Sequence, residues 1–271
     1  MPAAATTVDW VAARRAVAEA GPRLTAMLRS ATKPDAPTLG EWDMTQLATH
    51  VSHAMDAVSA MSTGGGNLIA DISGLPVLSR VMIEGEGRRP LSELADRIDA
   101  SVARFLAAME TAGADTSHSW LIQGTQMPLS SLTCHILNEL TVHGLDIARA
   151  EGVPWPIDRG HATLVVQGFL FPSLHALGRA MVVQEKAGTA RFEVHLRGDG
   201  RYWLRFEGGN FSVEDAPLGS VDCHLSVDPA TFLLVAWGRT SQWPAIAKGQ
   251  LLAWGRKPWL GMQMRSWLRN P

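Results

Sequence analysis

The hydrophobic periodicity of the chain changes near Gly188, and this change restricts the possible folds more than any other feature. Before it, apolar residues recur at the three- and four-residue spacings of amphipathic helices. After it, apolar and polar residues alternate over residues 191–196 and 202–206, with a glycine-rich turn at 198–200. We therefore predict an α+β protein of two domains, in which a helical domain precedes a small antiparallel sheet with helices on one face.

The helical part predicts a four-helix bundle with one long crossover, a fold that builds metal sites from side chains on facing helices. The predicted helices cover residues 8–30, 44–61, 90–109 and 129–150. Pro22 lies within the first of them, so we expect a kink or a break near Ala20 and Gly21. A fifth helix is predicted over residues 159–185. Turn residues at 151–156 place the domain boundary, giving domains 1–152 and 153–271.

Composition excludes several classes of function. The chain has 271 residues and a net charge of −2 without a block of like charges, so no nucleic-acid partner is expected. No apolar run reaches the ~18 residues of a membrane span, so no membrane partner is expected. Residues 1–7 lack the features of a secretion signal, and the two cysteines, Cys134 and Cys223, make no disulfide framework. A cytoplasmic protein is the resulting expectation.

The fourth predicted helix carries Glu139 and His143 four residues apart, so both side chains project from one face of the helix. That face is the apolar one, marked by Leu132 and Ile136. Inward-facing carboxylate and imidazole groups either bind a divalent metal or form a buried polar network, and the spacing alone leaves both open. His135 lies near the same face, but its eight-residue separation from His143 is ~12 Å of helical rise, so the two do not easily bind one ion. We therefore expect His135 to be a bystander or to contact a ligand residue from behind.

The second predicted helix offers two further imidazoles. His50 lies about 60° from Leu47 by the helical period, beside the apolar stripe, so it can face inward. His53 lies about 120° from Leu47, and we expect it to contact solvent more than His50 does.

Three segments together resemble one family. Residues 41–50 are similar to the entry to the second helix of the DinB-like, mycothiol-dependent maleylpyruvate isomerase family, with its pattern W-x-x-x-x-L-x-x-H. Residues 139–148 resemble that family's E-x-x-x-H-x-x-D motif, and residues 233–255 resemble the end of the sterol-carrier-like domain that follows it. The order and approximate spacing agree along nearly the whole chain.

The resemblance implies a metal site formed by His50, Glu139 and His143, with zinc or another divalent metal and the thiol cofactor mycothiol. Two histidines, one carboxylate and an open fourth position are a known catalytic zinc set. The metal would bind the thiol and lower its pKa. Asp146 is expected either to accept a hydrogen bond from a ligand imidazole or to pair with Arg149 on the same helix.

The family pattern also includes Arg239. It is expected to bind a carboxylate of the substrate or cofactor, or else to cap the end of the helix before it. Cys134 is offset from the ligand face, so packing is expected for it rather than catalysis.

The resemblance leaves the reaction open. In an isomerase the thiolate adds to a cis double bond conjugated to a carbonyl, and bond rotation followed by loss of the thiol gives the trans isomer. An alternative is S-transfer or thiol exchange of the kind found in actinobacterial natural-product pathways. A third possibility is a non-catalytic protein whose tryptophan-rich second half binds an apolar ligand. The expected partners are a small-molecule thiol and a small electrophile, and the protein is a monomer or a homodimer.

Overall fold

The computed structural model describes residues 8–269, so the prediction about a secretion signal in residues 1–7 lies outside the described part. The chain divides into two compact units, Val8–Ile157 and residues 158–269. The fold is mixed helix and sheet, with a helical N-terminal unit and a C-terminal sheet that carries helices, as predicted.

The N-terminal unit is a helical bundle with two short hairpins. Its helices are α1 (Trp10–Ser30), α2 (Met44–Met61), α3 (Leu75–Glu86), α4 (Leu91–Ala108) and α5 (Leu129–Glu151). The hairpins are β1 (Pro37–Leu39) with β2 (Trp42–Asp43), and β3 (Ser117–Ser119) with β4 (Gln126–Pro128). Helices α1 and α2 each pack against both α4 and α5. The four predicted bundle helices are therefore confirmed.

Helix α5 is the centre of the bundle, because every residue from Leu129 to Ala148 is buried. Its polar residues are consequently held inside the protein, where burial is costly unless they have partners. Helix α2 begins with a capping box, in which Asp43 and Gln46 satisfy each other's backbone amides. This cap fixes the start of the helix that carries His50.

Two features of this unit differ from the prediction. Helix α1 continues through Pro22, so of the kink or break predicted near Gly21 the break is wrong. Gly21 packs closely on Val102 of α4, and this packing stabilises the helix on both sides of the proline. The short helix α3 was not predicted, since its apolar residues Val77 and Val81 remain exposed and give a weak pattern.

The C-terminal unit contains a five-stranded sheet. Its strands are β5 (Ala190–Leu196), β6 (Arg201–Glu207), β7 (Asn210–Glu214), β8 (Cys223–Val227) and β9 (Leu251–Trp254), in the order β7-β6-β5-β8-β9. The predicted hairpin of β5 and β6 is confirmed, with Val194 opposite Tyr202. The sheet is antiparallel except between β5 and β8, which run parallel with Val194 opposite Leu225. Sequence alternation identified the strands but carried no information on this pairing direction.

The one long helix predicted in this unit is divided into shorter segments, and the described part of the unit has five short helices. They are α6 (Arg159–Val165), α7 (Phe171–Leu177), α8 (Pro229–Ala236), α9 (Gln242–Ala247) and α10 (Leu260–Gln263). The helix predicted over residues 159–185 is instead α6, a π-helical turn over Val166–Leu170, α7, and a 3-10 turn that ends at Met181. Pro172 has no N–H to donate to the carbonyl four residues earlier, which disfavours regular α-helix there. Within residues 8–269, none of the helices has the length and apolarity needed to cross a membrane.

Candidate metal centre

Three side chains converge inside the N-terminal bundle. His50 comes from α2, and Glu139 and His143 come from α5. One potential ligand atom from each residue lies within 4.8 Å of the others. The Glu139 Oε2 atom is 3.2 Å from His143 Nε2 and 3.7 Å from His50 Nε2. Ligand atoms ~2.1 Å from a tetrahedral zinc ion are separated by about 3.4 Å, so these distances fit a divalent metal.

The bundle positions this group through helix geometry. Glu139 and His143 are one turn apart on α5, and α2 packs across that face and adds His50. The side chains of Glu139 and His143 are about one-tenth exposed, and that of His50 is 20% exposed. The indole of Trp42 lies beside the His50 ring, with 5.1 Å between ring centroids. His50 is thus the most accessible member of the group.

Asp146 lies behind His143, one turn further along α5. Its Oδ2 atom is 3.2 Å from His143 Nδ1, while Glu139 lies on the Nε2 side of the same ring. A neutral imidazole that donates from Nδ1 to Asp146 presents an unprotonated Nε2 atom to the centre of the group. This is the arrangement in which a histidine binds a metal and a carboxylate orients its ring.

The electrostatics of the group follow from burial and close carboxylates. Burial favours neutral imidazole, but hydrogen bonds with Asp146 and Glu139 outweigh that effect and raise the pKa of His143 to about 9. Burial likewise opposes ionisation of Glu139, but contacts with His135, His143 and His50 hold its pKa well below the usual range. The group therefore favours ionised carboxylates and a positive charge between them.

The second oxygen of Glu139 has its own neighbours, of which the sequence suggested His135 but neither Asn138 nor, behind His135, Trp120. Asn138 Nδ2 lies 3.3 Å from Glu139 Oε1, and His135 Nε2 lies 3.6 Å from the same oxygen. Trp120 Nε1 in turn lies 3.4 Å from His135 Nδ1. Asn138 is adjacent to Glu139 in sequence, which was an available signal. Trp120 lies outside any helix, so no periodicity indicated it.

His53 and Cys134, which lie on the same helices as the three converging side chains, have different contacts. His53 Nε2 lies 3.4 Å from a carboxylate oxygen of Glu86 on α3. The side chain of His53 is 17% exposed, slightly less than that of His50, so the expectation that His53 contacts solvent more is wrong. The unpredicted helix α3 explains this, since it covers His53. Cys134 is fully buried, and burial raises the pKa of its thiol to about 12, so its packing role is confirmed.

Arg239 follows α8 in the C-terminal unit. Its Nη1 atom donates to the carbonyl oxygen of Trp237 at 2.9 Å, which is the contact expected of an arginine that caps a helix end. Its role in binding a carboxylate of the substrate or cofactor stays a prediction.

Comparison with known proteins agrees with this description. Residues 14–148 match the model of the mycothiol maleylpyruvate isomerase N-terminal domain, and residues 180–263 match that of the SCP-2 sterol transfer family. No curated protein matches the chain significantly in sequence.

Two similar solved structures cover most of the chain. One is the mycothiol-dependent maleylpyruvate isomerase, with a TM-score of 0.57 and 16% identity over 90% of this chain and 92% of that one. The other is a histidine-to-alanine mutant of the same enzyme, with a TM-score of 0.56 and the same identity and coverage. At this identity the likeness shows the fold. The two domain matches, in this order and on this fold, place the chain in the mycothiol-dependent maleylpyruvate isomerase family.

Proposed function

We propose that this chain is a divalent-metal and mycothiol-dependent enzyme that acts on a small electrophile, and that His50, Glu139 and His143 bind the metal. Zinc is the first candidate, because two histidines and one carboxylate form a common catalytic zinc set. The observation that carries the proposal is the convergence of three ligand atoms around one point inside the bundle, with Asp146 directly behind one of the imidazoles.

The buried charge of the site supports a cation over a simple polar network. Glu139 and Asp146 are both buried and flank the ring of His143. Two buried carboxylates among neutral imidazoles carry about two negative charges, which a divalent ion balances. Without a metal, a proton on His143 supplies part of the balancing positive charge, which is consistent with its raised pKa of about 9. A core histidine kept only for packing does not need a carboxylate on each side.

Three protein ligands leave a fourth position for a small molecule. A divalent metal held by these three residues would be a Lewis acid, and it would lower the pKa of a thiol bound at the fourth position. Asp146 keeps the ring of His143 in one orientation, and the partly exposed His50 marks the side from which a ligand enters. The thiol comes from a cofactor and not from Cys134, whose pKa of about 12 and full burial exclude a thiolate at neutral pH.

Isomerisation of a maleylpyruvate-like substrate is the proposed reaction, and it rests on the family. The substrate class carries carboxylates, and we propose that Arg239 binds one of them through its planar guanidinium. S-transfer from mycothiol to an electrophile uses the same metal and thiol. The two reactions are separated by their products.

Metal analysis of protein purified without chelator tests the metal site. We expect about one zinc per chain in the wild type and none in His143→Ala, with His161→Ala in the C-terminal unit as the matched control that retains it. A folded wild-type protein without bound metal, which also fails to take up added zinc, contradicts the proposal.

Product analysis then tests the reaction. Loaded protein is incubated with maleylpyruvate, with and without mycothiol, and the products are separated by liquid chromatography and mass spectrometry. A thiol-dependent trans isomer of unchanged mass supports isomerisation. A stable thiol adduct instead indicates S-transfer. Turnover without any thiol contradicts the mycothiol requirement.

A further inference from the structure

The contacts around Glu139 divide its two oxygens between different tasks. Oε2 faces the Nε2 atoms of His143 and His50, at 3.2 and 3.7 Å. Oε1 faces away from them, toward Asn138 Nδ2 at 3.3 Å and His135 Nε2 at 3.6 Å. A carboxylate with both oxygens free can bind a metal through one oxygen or through two. Here the second oxygen already accepts a hydrogen bond from Asn138, and the His135 ring nitrogen lies just beyond hydrogen-bond distance of it.

Trp120 determines the tautomer of the neutral His135 ring. An indole N–H can only donate, and Trp120 Nε1 lies 3.4 Å from His135 Nδ1. Nδ1 of His135 must therefore be an acceptor, which places the ring proton on Nε2, the atom that faces Glu139 Oε1. A protonated Nε2 atom cannot bind a metal. The indole thus directs the Nε2–H group of His135 toward the carboxylate, with Nε2 3.6 Å from Oε1, and removes His135 from the set of possible ligands.

The orientation of Asn138 is determined in the same way. Its amide is buried, and its Nδ2 atom faces the carboxylate. The reversed amide would bring two oxygens together. Among the described residues its Oδ1 atom has no hydrogen-bond partner. In this orientation the amide therefore leaves a buried oxygen unsatisfied, which is energetically costly, while its nitrogen contacts Glu139. A buried amide with this cost is not explained by packing alone.

We propose that His135, oriented by Trp120, and Asn138 are positioning residues that hold Glu139 Oε1, so that Glu139 binds the metal through Oε2 alone. The inference rests on the proposed metal site. Single-oxygen binding keeps one coordination position open for the thiol, whereas binding through both oxygens would occupy part of that space. Residues behind a metal ligand typically change metal affinity by about 10- to 100-fold when they are removed.

Zinc affinity of the full chain, measured by competition with a chromophoric chelator, tests the proposal. His135→Gln keeps a nitrogen donor near the position of Nε2, whereas His135→Leu removes it. We expect His135→Leu to weaken zinc binding by about 10- to 100-fold and His135→Gln to recover most of that loss. Trp120→Phe, which removes only the indole N–H and the outer ring, is expected to weaken binding in the same direction. His195→Leu in the C-terminal unit is the control for loss of an imidazole.

A second readout separates positioning from general stability. Co²⁺ replaces zinc as a spectroscopic probe, and its visible absorption reports coordination number. We expect four-coordinate Co²⁺ in the wild type and His135→Gln, and a weaker, five-coordinate spectrum in His135→Leu if Oε1 is released to the metal.

Two results would overturn the proposal. One is equal zinc affinity and equal Co²⁺ spectra in His135→Leu and the wild type. The other is an equal loss in His135→Gln and His135→Leu, which points to a structural role. Failure of the wild type itself to bind zinc or Co²⁺ refutes the metal site first, so the two failures are distinguishable.

Discussion

Gly144 follows the predicted ligand His143, and the indole of Trp155 lies directly on it. A Cβ atom at position 144 would stand 2.3 Å from Trp155 Cζ2 and 2.6 Å from its Cε2 atom. The indole is held in place by two further contacts. Its Nε1 atom donates to the Thr141 carbonyl at 3.1 Å, and the guanidinium of Arg23 lies 3.7 Å from the ring centroid. We therefore predict that Gly144→Ala displaces Trp155.

The change in the free energy of unfolding expected for Gly144→Ala is the difference between two opposing effects. Alanine in place of glycine within a helix stabilises by ~1 kcal/mol. Overpacking a core by one methyl group costs ~1–3 kcal/mol when neighbours can shift. Two ring atoms of a fixed indole cannot yield enough at this distance, so the cost approaches the ~3–5 kcal/mol lost when a buried tryptophan is removed. The net expectation for Gly144→Ala is a loss of about 2–4 kcal/mol in the free energy of unfolding.

Urea denaturation of Gly144→Ala, Trp155→Ala and the double variant measures this. In the Trp155→Ala background the added methyl group has space, so Gly144→Ala should become neutral or stabilising by up to ~1 kcal/mol. Gly85→Ala is the matched control, because Gly85 lies in α3 and no atom outside its own stretch of helix stands within 4 Å of the place a Cβ atom would take. It should stabilise slightly. If Gly144→Ala behaves as Gly85→Ala does, the reasoning about Trp155 is refuted.

Two further predictions concern acidic residues. Asp146→Asn should weaken zinc binding by about 10- to 100-fold in a chelator competition, because the neutral amide lacks the charge that makes the proposed ligand imidazole a stronger base, and unchanged affinity would contradict its role. For Asp222, burial raises the pKa, but hydrogen bonds from Arg256, the Arg191 amide and Lys257 outweigh it and lower the folded-state pKa. Its stabilisation is therefore present above the unfolded pKa of ~3.9 and is lost as the pH falls through the lower folded value, so the urea midpoints of wild type and Asp222→Asn should differ at pH 6 and converge toward pH 3.

Local patterns predicted most of the helices and strands. The helical periodicity over residues 44–61 and 129–150 and the alternation over residues 191–196 and 202–206 all predicted the structure that is observed there. These signals are local, since each depends on residues within a few positions of one another. They can therefore be recognised without any knowledge of the tertiary structure.

The features that were predicted wrongly or not at all depend on contacts between distant segments. Helix α1 continues past Pro22 because α4 packs against it, and the parallel pairing of β5 with β8 joins residues about thirty positions apart. Helix α3 exposes Val77 and Val81, so it lacks the one-sided apolar pattern that predicts a helix. In the site, spacing predicted which residues share a face, but it could not show what lies behind them.

The choice among the histidines of this bundle is decided by what occupies the second ring nitrogen. His143 contacts Asp146 through Nδ1, so its Nε2 atom faces the other proposed ligands. His135 accepts at Nδ1 from Trp120, so its Nε2 carries the proton and cannot bind a metal. His53 directs Nε2 toward Glu86, away from the group. Trp120 and Glu86 both lie outside the helices that carry these histidines. Helical rise separates His135 from His143, but helical spacing did not show that His53 lies against Glu86, whereas the neighbours of these imidazoles do.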